Sequence, residues 1–182
     1  MERITHRPAI AGVIGCLLAA ISGCASTTDA APVTPTPARP LTAPMLVTTV
    51  TDGDTIRVRD IDGKATVVRL LGIDAPETKD RRKPVQCYGP EASAHLKQTL
   101  TGRTVQLEPG AEPVDKYGRT LAYIWLDNQL VNYQLVAAGY AREYTYNPRQ
   151  PGAHAPAIRT AQQDARTTGR GLWAPHGCNG RT

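Results

Sequence analysis

The chain has 182 residues, room for one ordinary domain with accessory segments and too few for a multidomain machine. Hydrophobic residues make up 41% and charged residues 20%, but Phe is absent and aromatics are 5%, so aliphatic side chains must fill the core. Lys plus Arg number 21 against 16 Asp plus Glu, and the resulting net charge of +5 suits a polyanionic partner without requiring one.

Arg3 and Arg7 precede an uncharged, mostly apolar run from Pro8 to Ile21, closed by Ser22, Gly23 and Cys24. At about 14 residues the run is too short to span a membrane comfortably, and its layout is that of an export signal. Ile21-Ser22-Gly23-Cys24 resembles the lipobox of bacterial lipoproteins, whose cysteine is diacylated and becomes the new N-terminus. That resemblance implies a signal peptide at 1–23 and lipidation at Cys24. The protein would then be exported and held by its lipid anchor on the outer face of the bacterial cell membrane, or shed from it. A plain signal cut near Ala30 or Ala31 is the alternative. Cys16 leaves with the signal and Cys24 takes lipid. Cys87 and Cys178 therefore remain as a pair in an oxidising setting, which predicts a disulfide between them, with two buried thiols as the alternative.

Residues 24–44 are Ser, Thr, Ala and Pro with almost no bulky apolar side chain, which predicts a disordered, extended stalk. The globular domain is expected over 45–182. Val47, Val50, Ile56 and Val58 suggest a strand bent around Asp52-Gly53-Asp54. Asp62-Gly63 marks a hairpin turn leading to a second strand, Thr66 to Ile73. Pro90 opens a helix carrying Ala92, Leu96 and Leu100 on one face, stopped by Gly102. Thr104 to Glu108 and Leu121 to Leu126 read as further strands. Val131, Leu135 and Ala138 mark a second helix ended by Gly139, and Tyr140 to Tyr144 supply a fifth strand. Pro156 starts a third helix with Ile158, Ala161 and Ala165 on one face. This pattern fits a small closed barrel or an open α+β sheet.

Asp52, Asp54, Asp74 and Glu77 are four carboxylates in or beside two predicted strands, with Arg69 five residues before Asp74. Carboxylates converging without paired Cys or His favour a hard, oxygen-seeking cation. Taken singly, Asp-Gly-Asp and Asp-Ala-Pro also read as turns with solvated side chains. Asp115-Lys116-Tyr117-Gly118-Arg119 places a guanidinium, able to hold two phosphate oxygens at once, beside a turn. His95, His154 and His176 are scattered, and no nucleophile elbow appears.

Together these stretches resemble the thermonuclease family, typified by staphylococcal nuclease. The matching segments are Thr51 to Thr55, Val68 to Thr78, Tyr88 to Ser93, Asp115 to Arg119 with Leu121-Ala-Tyr123, and Gly171-Leu-Trp173. The resemblance implies an α+β OB-fold, a five-stranded barrel with three helices. It also implies Ca²⁺-dependent hydrolysis of DNA and RNA with low sequence preference, leaving 3′-phosphate ends. By the same likeness Asp54, Asp74 and the backbone carbonyl of Ala75 hold the Ca²⁺, and Asp52 acts from behind them. Arg69 and Arg119 grip the scissile phosphate, and Glu77 orients or deprotonates the attacking water. Lys116, Tyr117, Tyr144 and Tyr146 match positions that contact nucleotide. No protein partner is implied. The competing reading is a non-catalytic OB-fold surface lipoprotein that binds nucleic acid, for which the carboxylates would be idle. Cys87, Cys178 and the basic run from Lys79 to Lys83 depart from the type enzyme.

Overall fold

The structure, a computed structural model, describes residues 34–80, 82 and 84–182. The signal at 1–23, the lipidation at Cys24 and the first part of the expected stalk lie outside the described residues.

The first apolar stretch forms two strands, not one bent strand. β1 (Met45–Asp52) and β2 (Thr55–Arg59) pair antiparallel with Asp52 opposite Thr55, so Gly53 and Asp54 are the whole turn. Gly53 is required there by space. A Cβ at this position would lie 2.6 Å from the Ala75 Cβ, so only glycine lets the turn press against that segment. The Asp60–Lys64 turn, with Gly63 at φ +82°, leads into β3 (Ala65–Leu70), antiparallel to β2. Leu71 and Gly72 then interrupt the predicted Thr66 to Ile73 strand. Gly72 takes φ +72°, and Ile73–Asp74 becomes a separate short strand, β4.

Helix α1 (Gly89–Leu100) carries Pro90 in its first turn and buries Ala92, Leu96 and Leu100, the i, i+4, i+8 face. β5 (Thr104–Val114) runs beyond its expected end at Glu108, its pairing with β6 (Thr120–Leu126) turning irregular between Pro109 and Val114. Asp127 and Asn128 both adopt positive φ in a two-residue hairpin to β7 (Gln129–Leu130). Then come α2 (Val131–Ala137), β8 (Arg142–Glu143), α3 (Ala155–Thr167) and a 3-10 turn at Gly171–Trp173.

Strands run in the order β3-β2-β1-β5-β6, and parallel pairing of β3 with β6 closes them into a five-stranded barrel. With three helices around it, this is an OB-fold of the α+β class. Five strands were expected, but with a different membership. The segment from Tyr140 to Tyr144 gives only β8, which pairs with β4 outside the barrel, and the β1–β2 hairpin supplies the missing barrel strand. The core is aliphatic: Val47, Ile56, Val68, Leu70 and Ile124 from the barrel meet Leu96, Leu135 and Ile158 from the helices. Each such side chain contributes about 1.5 to 3 kcal/mol on burial.

Glu108 is fully buried in this core. Its carboxylate accepts Trp125 Nε1–H at 2.8 Å and the Ala38 backbone N–H at 3.0 Å, and lies 2.9 Å from His154 Nε2. A buried carboxylate needs such donors, and one of them comes from the segment expected to be a free stalk. Thr42 also bonds to β5, donating its N–H to the Leu107 carbonyl (2.9 Å) and accepting the Leu107 N–H on Oγ1 (3.0 Å), while Leu41 packs on the core. The domain therefore begins before Met45. Composition does not reveal this, because the docking uses backbone groups, one threonine hydroxyl and one leucine.

Candidate active site

The β1–β2 turn, the β3–β4 break and the loop after β4 meet at one end of the barrel. Asp54, 9% exposed, is held on both oxygens: Oδ1 accepts the Thr55 hydroxyl at 2.9 Å and Oδ2 accepts the Ala75 N–H at 3.1 Å. Arg69 alternates with the inward-facing Val68 and Leu70 on β3. The Gly72 turn brings two carbonyls to its guanidinium, and Nη1 donates to Leu70 O (2.6 Å) and Ile73 O (2.9 Å). Its Nη2 then stands between two carboxylates, 3.1 Å from Asp54 and 3.0 Å from Asp74.

Partial burial first, and next the Asp54 charge, raise the Asp74 carboxyl above its ordinary pKa, against the pull of Arg69 and Arg142. The side chain is 57% exposed, so solvent keeps this rise shallow. Asp52 is tied to the loop after β4. Its carboxylate accepts the Thr78 hydroxyl (2.8 Å), the Thr78 N–H (3.3 Å) and the Gly53 N–H (2.9 Å). It thus staples the turn to that loop.

Glu77 turns its Oε1 onto the N–H groups of Lys79 (2.6 Å) and Asp80 (3.0 Å). Burial opposes its charge, but these donors and the neighbouring Asp52 outweigh it and hold the Glu77 carboxyl below its ordinary range. Burial and then Glu77 push the Asp52 carboxyl above its ordinary value, against the Thr78 and Gly53 hydrogen bonds that favour its charge.

Arg119 belongs to a second cluster. It immediately precedes β6, whose Thr120 and Leu121 pair with Val68 and Arg69, so Arg119 enters the strand that neighbours the one carrying Arg69. Asp115 fixes it by accepting Nε–H on Oδ2 (2.7 Å) and the Arg119 backbone N–H on Oδ1 (2.9 Å). Slight burial works the other way, yet these bonds and the Tyr117 N–H hold the Asp115 carboxyl below its usual range. The Tyr117 ring, 72% exposed, has the Arg119 guanidinium 5.5 Å and the Lys116 ammonium 5.1 Å from its centroid.

Tyr144 and Tyr146 do not share a strand face, because β8 ends at Glu143; both are exposed, and the Tyr144 N–H bonds the Gly72 carbonyl at 3.0 Å. In the basic run, Arg82 is paired with Asp80 through Nε (2.8 Å) and Nη2 (3.0 Å). Arg81 and Lys83 lie outside the described residues.

Two partners escape sequence reading. Gln86 clamps Glu77 at two points, its Oε1 accepting the Glu77 N–H (2.7 Å) and its own N–H reaching the Glu77 carbonyl (3.0 Å). Asp115 anchors Arg119. Gln86 lies nine residues from Glu77 across an irregular loop, where no periodicity links them.

A hard cation is tested by the oxygens themselves. Asp54 and Asp74 both touch one nitrogen, so those two oxygens are at most about 6 Å apart, where ligands on one Ca²⁺ stand up to about 5 Å apart. The donors are all oxygen, and a positive group already occupies the space between them. An all-oxygen donor set suits a hard cation, and two carboxylates alone make a sparse one. Among the described residues no group of three or more His, Cys, Asp or Glu converges on one point, so backbone oxygen and water would complete the shell.

A closed OB barrel bearing two carboxylates bridged by a guanidinium, with a second arginine on the adjoining strand, defines the class. The chain belongs to the family of staphylococcal nuclease homologues, which matches residues 67–175. It is 44% identical to the thermonuclease of Staphylococcus intermedius over 128 residues, 70% of this chain and 74% of that protein. Against the thermonuclease of Staphylococcus hyicus it is 42% identical over 125 residues, 69% of this chain and 72% of the relative. Endonuclease YncB of Bacillus subtilis is 38% identical over 128 residues, 69% of this chain and 59% of that protein.

Proposed function

We propose that the protein is a nuclease that hydrolyses phosphodiester bonds of DNA and RNA with low sequence preference, uses Ca²⁺ and leaves 3′-phosphate ends. The observation that carries this reading is the Arg69 guanidinium seated between Asp54 and Asp74, with Glu77 anchored on the loop immediately after them. Family membership and thermonuclease relatives support the nuclease class.

Asp54 and Asp74 would hold the ion, with the Ala75 carbonyl as a further ligand, and a bound cation would supply positive charge that lowers the repulsion between an attacking water and the phosphodiester anion. Arg119, tethered to Asp115 through Nε, keeps both terminal amino groups for phosphate oxygens whose charge grows in the transition state. Arg69 supplies positive charge on the opposite strand. Glu77 accepts a hydrogen bond from the water and orients it. Lys116 and Tyr117 meet the adjoining phosphate and sugar, and the exposed rings of Tyr144 and Tyr146 offer faces on which bases stack. Asp52 positions the loop through Thr78.

We also propose export and lipid anchoring at Cys24. The Arg3 and Arg7 flank, the apolar run and the lipobox-like tetrapeptide support it. So does the Cys87–Cys178 bond, which suits an oxidising compartment.

The test incubates the purified protein with plasmid DNA and with RNA in Ca²⁺, in Mg²⁺ and in chelator. Cleavage only with Ca²⁺, followed by end-labelling that finds 3′-phosphates, is expected. Binding without cleavage under every condition would overturn the reading in favour of a binding module. Mass spectrometry of the N-terminus of the membrane fraction tests diacylation at Cys24.

A further inference from the structure

We propose that the Cys87–Cys178 disulfide is a positioning device for Glu77, acting through Gln86. The proposal rests on the reading that Glu77 orients the attacking water.

Glu77 stands on no strand or helix; it lies on the loop between β4 and α1. None of the described residues from Lys79 to Val85 is buried, and Val85 is 61% exposed. The loop is fixed at its two ends. At the near end Asp52 binds Thr78 and Asp54 binds Ala75. At the far end Gln86 reaches back, bonding Glu77 through both its side-chain oxygen and its backbone N–H, and Gly89 at the start of α1 packs close to the Pro76 and Glu77 carbonyls. Gln86 therefore supplies the two hydrogen bonds that the far end of the loop makes to the Glu77 backbone among the described residues.

Gln86 is followed at once by Cys87, which is exposed and is covalently joined to Cys178, itself 7% exposed, with Cα atoms 5.8 Å apart. Cys178 belongs to a tail that is well held. The Leu172 N–H bonds the Gly139 carbonyl (2.9 Å), and the Gly180 N–H bonds the Leu172 carbonyl (2.8 Å). That first contact is a close backbone approach, since a Cβ on Gly171 would fall 2.4 Å from the Gly139 oxygen. The Gly180 carbonyl in turn accepts a hydrogen bond from Arg142 on β8, the residue paired with Asp74 on β4.

The tail is thus a cross-brace between the two proposed halves of the chemistry. One side runs through Cys178, Cys87 and Gln86 to Glu77, and the other through Gly180 and Arg142 to Asp74. Cutting the bridge frees Cys87, and the far end of the Glu77 loop then rests on the Tyr88–Tyr140 stack, with centroids 5.6 Å apart, and on the start of α1. Displacement of a catalytic group by about 1 Å can lower turnover by about 10²-fold. Partial loosening predicts a fall in kcat of about tenfold, with KM unchanged because Lys116, Tyr117 and Arg119 lie on another loop.

The experiment is a double-mutant cycle on the full chain, with kcat and KM measured in Ca²⁺ well below each variant's melting temperature. The variants are Cys87→Ser/Cys178→Ser, Gln86→Ala, and the combination of all three. Expected are similar falls in kcat for the bridge variant and for Gln86→Ala, no further fall in the combination, and recovery in Gln86→Glu, which restores the acceptor for the Glu77 N–H. Gln86→Ala keeps the disulfide, so it reports even if bridge removal impairs folding. Unchanged kcat, additive losses, or losses in KM alone would overturn the proposal and leave the bridge with a stabilising role only. Glu77→Gln is measured alongside. If it cleaves at the wild-type rate, the underlying reading of Glu77 fails; if it is inactive while the bridge and Gln86 variants are fully active, the positioning proposal alone fails.

Discussion

Replacing Arg119 with Lys separates charge from geometry at the proposed phosphate clamp. In the structure Asp115 takes Nε–H at 2.7 Å and the Arg119 backbone N–H at 2.9 Å, so the guanidinium is aimed from behind, and among the described residues its terminal amino groups hydrogen-bond to no other side chain. A lysine ammonium has to serve either Asp115 or the phosphate. At least one oxyanion donor is lost, which corresponds to about 2.7 to 4 kcal/mol of transition-state stabilisation, or roughly 10²- to 10³-fold in kcat. The Arg119 side chain is 33% exposed, and such a pair contributes under about 1 kcal/mol to folding, so the melting temperature should barely move. Asp115→Asn should act in the same direction but more weakly, by about tenfold, because it loosens the aim without removing the fork. The Asp115 carboxyl is held below its ordinary range, so its contribution is complete above the unfolded-state value and fades only as the pH drops through the lowered one. The coupling between the two residues should therefore be constant from about pH 5 upward. The assay is steady-state cleavage of a fluorescent oligonucleotide in saturating Ca²⁺, with circular dichroism melts on each variant. Turnover by Arg119→Lys within about threefold of wild type would refute the clamp.

Glu77→Gln retains an oxygen for the Lys79 and Asp80 N–H groups, so it should fold normally while kcat falls by about 10² to 10⁴, read from the same cleavage assay. Gly53→Ala places a methyl group 2.6 Å from the Ala75 Cβ; a cost of about 1 to 3 kcal/mol in denaturant unfolding is expected, with a larger loss of activity because the displaced turn carries Asp52 and Asp54. His154→Ala strips one hydrogen-bond partner from the fully buried Glu108, which keeps Trp125 and Ala38, and should destabilise by about 1 to 3 kcal/mol in urea titrations, leaving per-molecule activity of the folded fraction unchanged.

Much of the barrel is legible in the chain because short-range chemistry sets it. Alternating Val and Ile dictate which strand faces turn inward, Asp-Gly and Asp-Asn dictate hairpins, and Pro90 and Gly102 bound a helix whose face is Ala92, Leu96 and Leu100. The residues that cluster at the β1–β2 turn and the β3–β4 break are likewise visible, since Asp54, Arg69, Asp74 and Glu77 follow those elements in order. Tertiary structure alone decides the rest. Closure depends on the parallel pairing of β3 with β6, a contact between residues about fifty apart that no local pattern encodes. The same holds for the use of Gly53 as a contact surface, the capture of Ala38 and Thr42 by β5, and the clamp of Gln86 on Glu77. Each of these is a hydrogen bond or a close approach between segments with no shared periodicity. Propensity and spacing describe a chain against itself over a few residues, and these contacts exist only once the barrel has brought distant backbone together.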